Sequence, residues 1–370
     1  MQAVGTQETS EHHGFPCAQC GAKLEFKPGA DAMKCPYCGH EQDIGQGAEQ
    51  APIVEYDLQA ALARARRQPV TALATGAREL QCNGCGATQV VVHQADHCAF
   101  CGSPMVVAVE QVHTDIVPES VLPFALEARQ AHESFRGWVK SRWFAPNDLA
   151  KRAKGQKIDG AYLPYWTYDS RTTTRYSGAR GIHYWVTQTY RDSQGRTQTR
   201  RVRKTRWYPT AGSVYVPFDD VLVCASKSLP AKLIDRLEPW DLPALRSYDP
   251  AYLSGFVAER YGIDLEQGFQ IAEKKMEPAI RAQICRDIGG DAQQIWSMTV
   301  RHADTTFKHC LLPIWISSFQ YKQKVYRFVV NARTGSVSGE RPYSAVKIAL
   351  AVLAGLALIA LIVFLLHRYG

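Results

Sequence analysis

The sequence predicts an α+β fold in which two small cysteine-rich units come first and one membrane-spanning helix comes last, with helices and antiparallel sheet between them. Three observations support this prediction. Eight of the 11 cysteines form four CxxC pairs within the first 101 residues. Helical and strand-like hydrophobic patterns alternate through residues 118–343. Residues 348–366 contain no charged, hydroxyl or amide side chain and no proline.

The first cysteine-rich unit, residues 15–45, follows a polar stretch, residues 1–14, that we expect to be disordered. Its two CxxC pairs are separated by fourteen residues: Cys17, Cys20, Cys35 and Cys38. Gly21 and Gly39 follow the pairs and suit the positive φ angles that let backbone N–H groups point at sulfur. Four thiolates at this spacing complete the tetrahedral coordination of a structural zinc ion. With a short hairpin expected between the pairs, this unit is predicted to be a zinc ribbon.

The second unit, residues 79–110, repeats the pattern with twelve residues between its pairs: Cys82, Cys85, Cys98 and Cys101. Two such matches predict two structural zinc ions per chain. Since four thiolates leave no open coordination position, neither ion is predicted to bind a substrate or an activated water. The linker, residues 46–78, carries apolar residues at helical spacing from Tyr56 to Arg67, which predicts one helix between the ribbons.

Residues 118–343 divide into two predicted α+β domains, 118–224 and 225–343. In the first, an amphipathic helix over Phe124 to Phe144 precedes two strand-rich arms that meet at a turn containing Gly195. In the second, Asp264 is placed to cap a long helix before the strand pattern returns. The similar words LPYW, from Leu163, and LPIW, from Leu312, each open a strand block. They suggest an internal duplication, although coincidence of a four-residue word is the alternative.

The second arm of the first domain is strongly basic and contains no acidic residue between positions 196 and 206. Aromatic residues flank its six basic side chains: Arg196, Arg200, Arg201, Arg203, Lys204 and Arg206. Such a surface is typical of a solvated sheet face, of a contact with anionic lipid or with protein, and of a nucleic-acid interface. The sequence leaves these three interpretations open. The net charge of +8 favours an anionic neighbour without choosing between lipid and nucleic acid.

The apolar run near the C-terminus predicts a transmembrane helix over residues 346–366. Nineteen residues of α-helix reach roughly 28 Å, about the thickness of the hydrocarbon core. A buried core helix is the alternative, but this run is apolar on every face. Only Arg368 follows it among basic residues, whereas several precede it: Lys322, Lys324, Arg327, Arg333, Arg341 and Lys347. Because positive flanks stay in the cytosol and no signal peptide precedes the chain, we expect a tail anchor with the bulk of the chain cytosolic.

No motif of a known enzyme class is present in the sequence. The P-loop, HExxH, GxSxG and DxDxDG patterns are all missing. The remaining cysteines, Cys224, Cys285 and Cys310, are expected to be buried small hydrophobes rather than nucleophiles. The chain is therefore not predicted to be an enzyme.

The two CxxCG ribbons, the LPYW word, the terminal VYRFVVNARTGSVSGERPYSAVKI and the single span resemble a family of bacterial membrane zinc-ribbon proteins. Its members carry labels such as TFIIB-type zinc ribbon or primosomal protein N′ (superfamily II helicase)-like. The resemblance implies a place in the bacterial cytoplasmic membrane and association with flotillin-like SPFH proteins and the phage-shock envelope-stress system. The motifs of a helicase motor are missing, so helicase activity is not expected.

The sequence thus predicts a tail-anchored scaffold that faces the cytosol and holds a protein partner at the membrane. The alternative is a membrane-tethered nucleic-acid-binding protein that uses its ribbons and its basic arm. A contact between the basic arm and anionic lipid would also follow if the span held the arm close to the headgroups.

Overall fold

The computed structural model describes most of the chain and confirms a mixed architecture of helices and mainly antiparallel sheet. The described residues are 15–44, 52–65, 78–82, 87–91, 98–100, 106–108, 116–149, 158–191, 193–322 and 324–369. The predicted disordered start and the second half of the linker lie outside them.

Five helices occur in the described residues: α1 Leu58–Ala65, α2 Ala128–Lys140, α3 Ala231–Ile234, α4 Leu265–Ile288 and α5 Ala345–Tyr369. The first seven strands are β1 Glu25–Lys27, β2 Ala32–Lys34, β3 Glu41–Asp43, β4 Tyr56–Asp57, β5 Arg78–Cys82, β6 Thr88–Val91 and β7 Val106–Ala108. The remaining strands are β8 Ser120–Val121, β9 Asp159–Arg191, β10 Thr197–Cys224, β11 Arg246–Ser247, β12 Val257–Glu259, β13 Ala292–Tyr321, β14 Lys324–Asn331 and β15 Val337–Gly339.

Strands β1, β2 and β3 form a small antiparallel sheet within the first cysteine-rich unit, as the predicted hairpin requires. All other strands belong to one large sheet whose centre is β9. Strand β13 pairs with one edge of β9 from Asp159 to Gly181. On the other edge β12 pairs with β9 near Ala161, and β10 pairs with it from Tyr165 to Arg191.

The burial of β9 changes along its length and divides it into three parts. Near its start, both faces are covered, and Tyr162, Tyr165 and Trp166 are fully buried. Buried and exposed residues then alternate as far as Gly181, as expected for a strand covered on one face. Gly181 is the last residue of β9 that pairs with β13. Beyond it, nearly every side chain is exposed. The strand therefore passes from the protein core into solvent.

Helix α4 covers the alternating part of β9 and begins where the sequence predicts. The side chain of Asp264 accepts a hydrogen bond from the Gln267 N–H at 2.8 Å and so caps the helix. The hydroxyl of Tyr168 donates to the Leu265 carbonyl at 2.8 Å. Gly268 allows this close approach, because a Cβ at that position would lie 2.3 Å from the Tyr168 hydroxyl.

The two predicted α+β domains contribute neighbouring strands, β9 and β13, to the same sheet. The boundary predicted at residue 224 therefore does not separate two sheets. The repeated words lie opposite each other in this pairing, with Leu163 facing Leu312. A twofold relation between two hairpins would give this register, and the duplication stays a prediction.

Helix α5 contains the predicted transmembrane segment. Within the described residues it is the one helix long and apolar enough to cross a membrane, from Ala345 to Arg368. None of its most apolar window is buried against the rest of the chain. Since a core helix would be covered, its exposure favours a membrane span over a core helix.

Candidate metal centre and basic arm

The structure brings the four cysteines of the first unit together as a candidate metal centre. The Sγ atoms of Cys17, Cys20, Cys35 and Cys38 all lie within 4.8 Å of one another. Two of the distances, Cys17 to Cys38 and Cys20 to Cys35, are 3.5 Å. A tetrahedral site with metal–sulfur bonds of about 2.3 Å has sulfur–sulfur edges of about 3.8 Å. The four thiols therefore fit one tetrahedral metal ion.

Backbone turns at both CxxC pairs hold the sulfur atoms in place. The N–H of Cys17 donates to the Ala22 carbonyl at 2.6 Å, and the N–H of Cys35 donates to the His40 carbonyl at 2.8 Å. Gly21 and Gly39 have φ angles of +70° and +75°, which a residue with a side chain rarely adopts. A hydrogen bond from the Cys38 backbone N–H helps to lower the pKa of Cys35 to about 6, whereas burial and the neighbouring thiols raise the pKa of Cys38 to about 12.

The first cysteine-rich unit packs onto the rest of the protein, a contact that the sequence alone does not predict. Phe26 is 4% exposed, and its ring lies 5.4 Å from that of Tyr252 and 6.3 Å from that of Phe256. The Phe26 N–H donates to the Ser254 carbonyl at 3.0 Å, and the Ser254 hydroxyl donates to the Leu24 carbonyl at 2.6 Å. One side of the ribbon is thus part of the main core.

The second cysteine-rich unit is described only in part. Cys82 and Cys98 are buried, at 1% and 0% exposed, whereas Cys85 and Cys101 lie outside the described residues. The Cys82 N–H donates to the Ala87 carbonyl at 2.9 Å, and the N–H groups of Cys17 and Cys35 likewise donate to the carbonyl five residues further on. No second group of four cysteines occurs in the part of the chain that the structure describes. The second metal site therefore stays a prediction.

Three carboxylates also converge next to β9, but a lysine already neutralises part of their charge. The oxygens of Glu55, Asp169 and Asp220 lie within 4.8 Å of one another. The Nζ of Lys308 lies 2.9 Å from Glu55 and 2.6 Å from Asp220. Burial, together with the adjacent Glu55, raises the pKa of Asp169 to about 6. We interpret this group as an ion-pair cluster that ties Glu55, just before β4, to the sheet.

Two further carboxylates, the half-buried Glu119 and the buried Glu259, have no cationic partner among the described residues. Burial raises the pKa of each to about 7. Glu119 accepts a hydrogen bond from the His309 N–H at 2.7 Å, and Glu259 accepts one from the Ser228 hydroxyl. The second oxygen of Glu259, Oε2, has no hydrogen-bond partner. No local sequence pattern distinguishes these glutamates from exposed ones.

The predicted basic arm is confirmed as part of a β-hairpin formed by β9 and β10. Beyond the last partner of β13, at Gly181, this hairpin continues as a two-stranded ribbon that we call the arm, residues 182–206. Five of the six predicted basic residues lie in β10, and Arg196 lies just before it. Directly opposite residues of an antiparallel pair share a face, so Lys204 shares a face with Tyr184, and Arg203 shares the other face with Trp185.

Both faces of the arm combine cations with exposed aromatic rings. Arg206 lies over the ring of Tyr184 at 5.3 Å, and Arg200 lies over that of Tyr190 at 5.4 Å. On the opposite face Arg201 lies over Trp185 at 5.8 Å, although this indole is 58% exposed. The arm therefore offers two surfaces that suit an anionic partner with apolar or planar groups.

The arm and the candidate span lie at opposite ends of β9. The segment before α5 is hydrogen-bonded to the loop after α2, where the Ser344 N–H donates to the Phe144 carbonyl at 2.8 Å. The neighbouring Ala145 belongs to the same core cluster as Tyr162, near the start of β9. From Tyr162 to the arm, the strand runs for roughly 60 Å at about 3.3 Å per residue. Contact between the arm and anionic headgroups was expected if the span held the arm close to the bilayer. This arrangement gives no support to that condition, because the arm lies at the far end of the strand.

Comparison with known proteins places the chain near one bacterial relative. It is 26% identical over 237 residues to the uncharacterized protein YdjG of Bacillus subtilis (strain 168), and the alignment covers 63% of this chain. The chain covers 66% of the length of that relative. No family model matches, and no solved structure matches.

Proposed function

We propose that this chain is a membrane-anchored scaffold that faces the cytosol and uses the arm to bind a protein partner. The observation that supports the proposal is the arm itself, to which no third strand of the described residues pairs and whose two faces both carry exposed arginines and aromatic rings. Ring-stacked arginines and tryptophan are typical of binding hot spots.

Two zinc ions hold the ribbons in this proposal, one at each group of four cysteines. The thiol set and its spacing favour zinc, and the first ion would fix the ribbon that packs on the main core. The proposed second ion would be bound by Cys82, Cys85, Cys98 and Cys101. Both are structural, since four thiolates leave no position for a substrate.

The proposed anchor is α5, in the bacterial cytoplasmic membrane with the body in the cytosol. The excess of basic residues before the span supports this orientation. A tag inserted after Arg368 should be reached by an impermeant reagent from outside intact cells, whereas a tag before Phe15 should be reached only after permeabilisation. The opposite pattern would reverse the orientation.

The partner we propose, from the family resemblance, is a flotillin-like SPFH membrane protein. The full chain should copurify with it from a detergent extract, and nuclease should not release it. Changing four basic residues of the arm to glutamine should abolish the copurification: Arg200, Arg201, Arg203 and Lys204. A control variant removes the same charge from exposed positions outside the arm: Lys140, Lys232, Lys274 and Lys322.

A membrane-tethered nucleic-acid-binding protein is the second candidate function, because the basic arm also suits a phosphate backbone. In that case nuclease would release the material bound to the full chain, and the arm variant would lose affinity for DNA or RNA at physiological salt. Either result would favour this candidate over the protein scaffold.

A further inference from the structure

A cavity of about 610 Å³ lies beside the segment that precedes α5. Three arginines line it, Arg142, Arg236 and Arg341, together with Glu340. The rings of Trp138 and Tyr343 form part of its walls. Its size lies within the range of small-molecule sites, roughly 300–1,000 Å³.

With three arginines and one glutamate, the lining of this cavity carries a net positive charge. Within the described residues, none of the three guanidinium groups forms an ion pair with a carboxylate. Arg142 lies over the Trp138 ring at 5.1 Å, and Arg341 lies over the Tyr343 ring at 5.2 Å. An anion in the cavity would neutralise guanidinium charge that no carboxylate of the described residues pairs with.

The lining of the cavity reaches Tyr343, just before the candidate span. Tyr343 precedes α5 by two residues and is 62% exposed, and nearby Trp143 is 69% exposed. In the first turn, the Nζ of Lys347 donates to the carbonyls of Trp143 and Ala145 at 2.9 and 2.8 Å. These bonds hold the loop of Trp143 against the helix. Tyrosine, tryptophan and lysine at the end of a span mark the headgroup region of a bilayer.

We propose that this cavity binds the phosphate-bearing headgroup of an anionic phospholipid in the leaflet next to the body. Arginine matches phosphate because its planar N–H groups donate in pairs to phosphate oxygens. The ligand enters from the bilayer, where anionic lipids are concentrated, and Trp143 and Tyr343 lie among the headgroups. This proposal rests on the proposed anchoring through α5.

The test uses the full chain purified in a neutral detergent and mixed with phosphatidylglycerol or phosphatidylcholine, with bound lipid counted by native mass spectrometry. The wild type should prefer phosphatidylglycerol. A triple variant, Arg142→Gln, Arg236→Gln and Arg341→Gln, should lower the preference at least about tenfold, because each basic residue near anionic lipid contributes about fivefold. The matched control, Arg175→Gln, Arg286→Gln and Arg301→Gln at exposed positions outside the cavity and the arm, removes the same charge and should keep the preference within about twofold.

Equal losses in the two triple variants, or none in the cavity variant, would overturn the proposal. Displacement of the lipid by inorganic phosphate would instead assign the cavity to a soluble anion. Arg236→Gln is a second test that should not disturb folding, since its side chain forms no described ion pair; it should lower the preference several-fold, and an unchanged value would contradict the proposal. Carbonate extraction of wild-type membranes tests the anchoring separately. Release of the chain there would refute the span, whatever lipid the purified chain prefers.

Discussion

Replacing Glu259 by glutamine should remove a pH dependence from the stability of the protein. The side chain is 4% exposed on β12, the strand that joins β6 to β9. One carboxylate oxygen accepts from the Ser228 hydroxyl, and Oε2 has no partner. Burial raises its pKa from 4.5 to about 7, so the folded state binds a proton that the unfolded state releases.

The sign and the magnitude follow from proton linkage. Because the folded pKa is the higher one, the stabilisation is complete below pH 4.5 and is lost as the pH rises through 7. The shift from 4.5 to about 7 corresponds to roughly 3 kcal/mol in total. Of this, roughly 1 kcal/mol falls between pH 6 and pH 8. The wild type should gain this amount on going from pH 8 to pH 6, and the Glu259→Gln variant should not.

The measurement is denaturant unfolding of the full chain in detergent, followed by tryptophan fluorescence at pH 6, 7 and 8. Other titrating groups are the same in both proteins, so they cancel in the difference between the two curves. Glu277→Gln, on the exposed side of α4, is the control and should follow the wild type within about 0.5 kcal/mol. Parallel curves for wild type and Glu259→Gln would show that Glu259 is ionised in the folded protein and would refute the reasoning.

Three further predictions concern the metal sites, the docking of the first ribbon and the ion-pair cluster. Elemental analysis of the full chain should give two zinc ions; Cys17→Ser with Cys35→Ser should remove one, and Cys82→Ser with Cys98→Ser should remove the other, so one ion or fewer in the wild type would contradict the second site. Phe26→Ala should lower the free energy of unfolding by about 3 kcal/mol while the zinc content stays the same. The control Tyr37→Ala, at an 83% exposed position, should change the free energy of unfolding by less than about 0.5 kcal/mol. Equal effects of the two substitutions would mean that the first cysteine-rich unit is not packed on the main core. Lys308→Met should cost about 3 kcal/mol in the same unfolding assay, because it leaves Asp220 and Glu55 without their cation, while Arg171→Met in an exposed pair should cost less than about 1 kcal/mol; similar costs would argue against the cluster.

Local sequence signals predicted the elements that depend on a few neighbouring residues. The cap at Asp264, the turn at Gly195 with its φ of +78° and the CxxCG turns at Cys17 and Cys35 each follow from short-range chemistry. The apolar run of α5 also needs no partner to be recognised.

Features that depend on distant partners could not be predicted. The alternation of apolar and polar residues in β9 and β10 indicates strands. It does not show that the pairing with β13 ends at Gly181 and leaves the arm without that neighbour. Phe26 has the pattern of an ordinary hairpin residue, and only the fold brings Tyr252 and Phe256 to it. The cavity likewise gathers Arg142, Arg236 and Arg341 from three separate stretches of the chain.

The two hydrogen bonds from Lys347 couple the orientation of the soluble body to that of the span. Its ammonium group donates to the carbonyls of Trp143 and Ala145, so these bonds restrict rotation of the first turn of α5 relative to the loop after α2. The long hairpin formed by β9 and β10 is continuous with the large sheet. It would therefore project as a rigid arm at a fixed angle to the bilayer. A partner bound at the tip of the hairpin would then be held in a preferred orientation relative to the membrane. Its distance from the membrane would be limited by the length of the strand, up to roughly 90 Å from Tyr162. Loss of the two hydrogen bonds from Lys347 would widen the range of positions that the tip can sample. It would do so without altering any residue that contacts the bound partner.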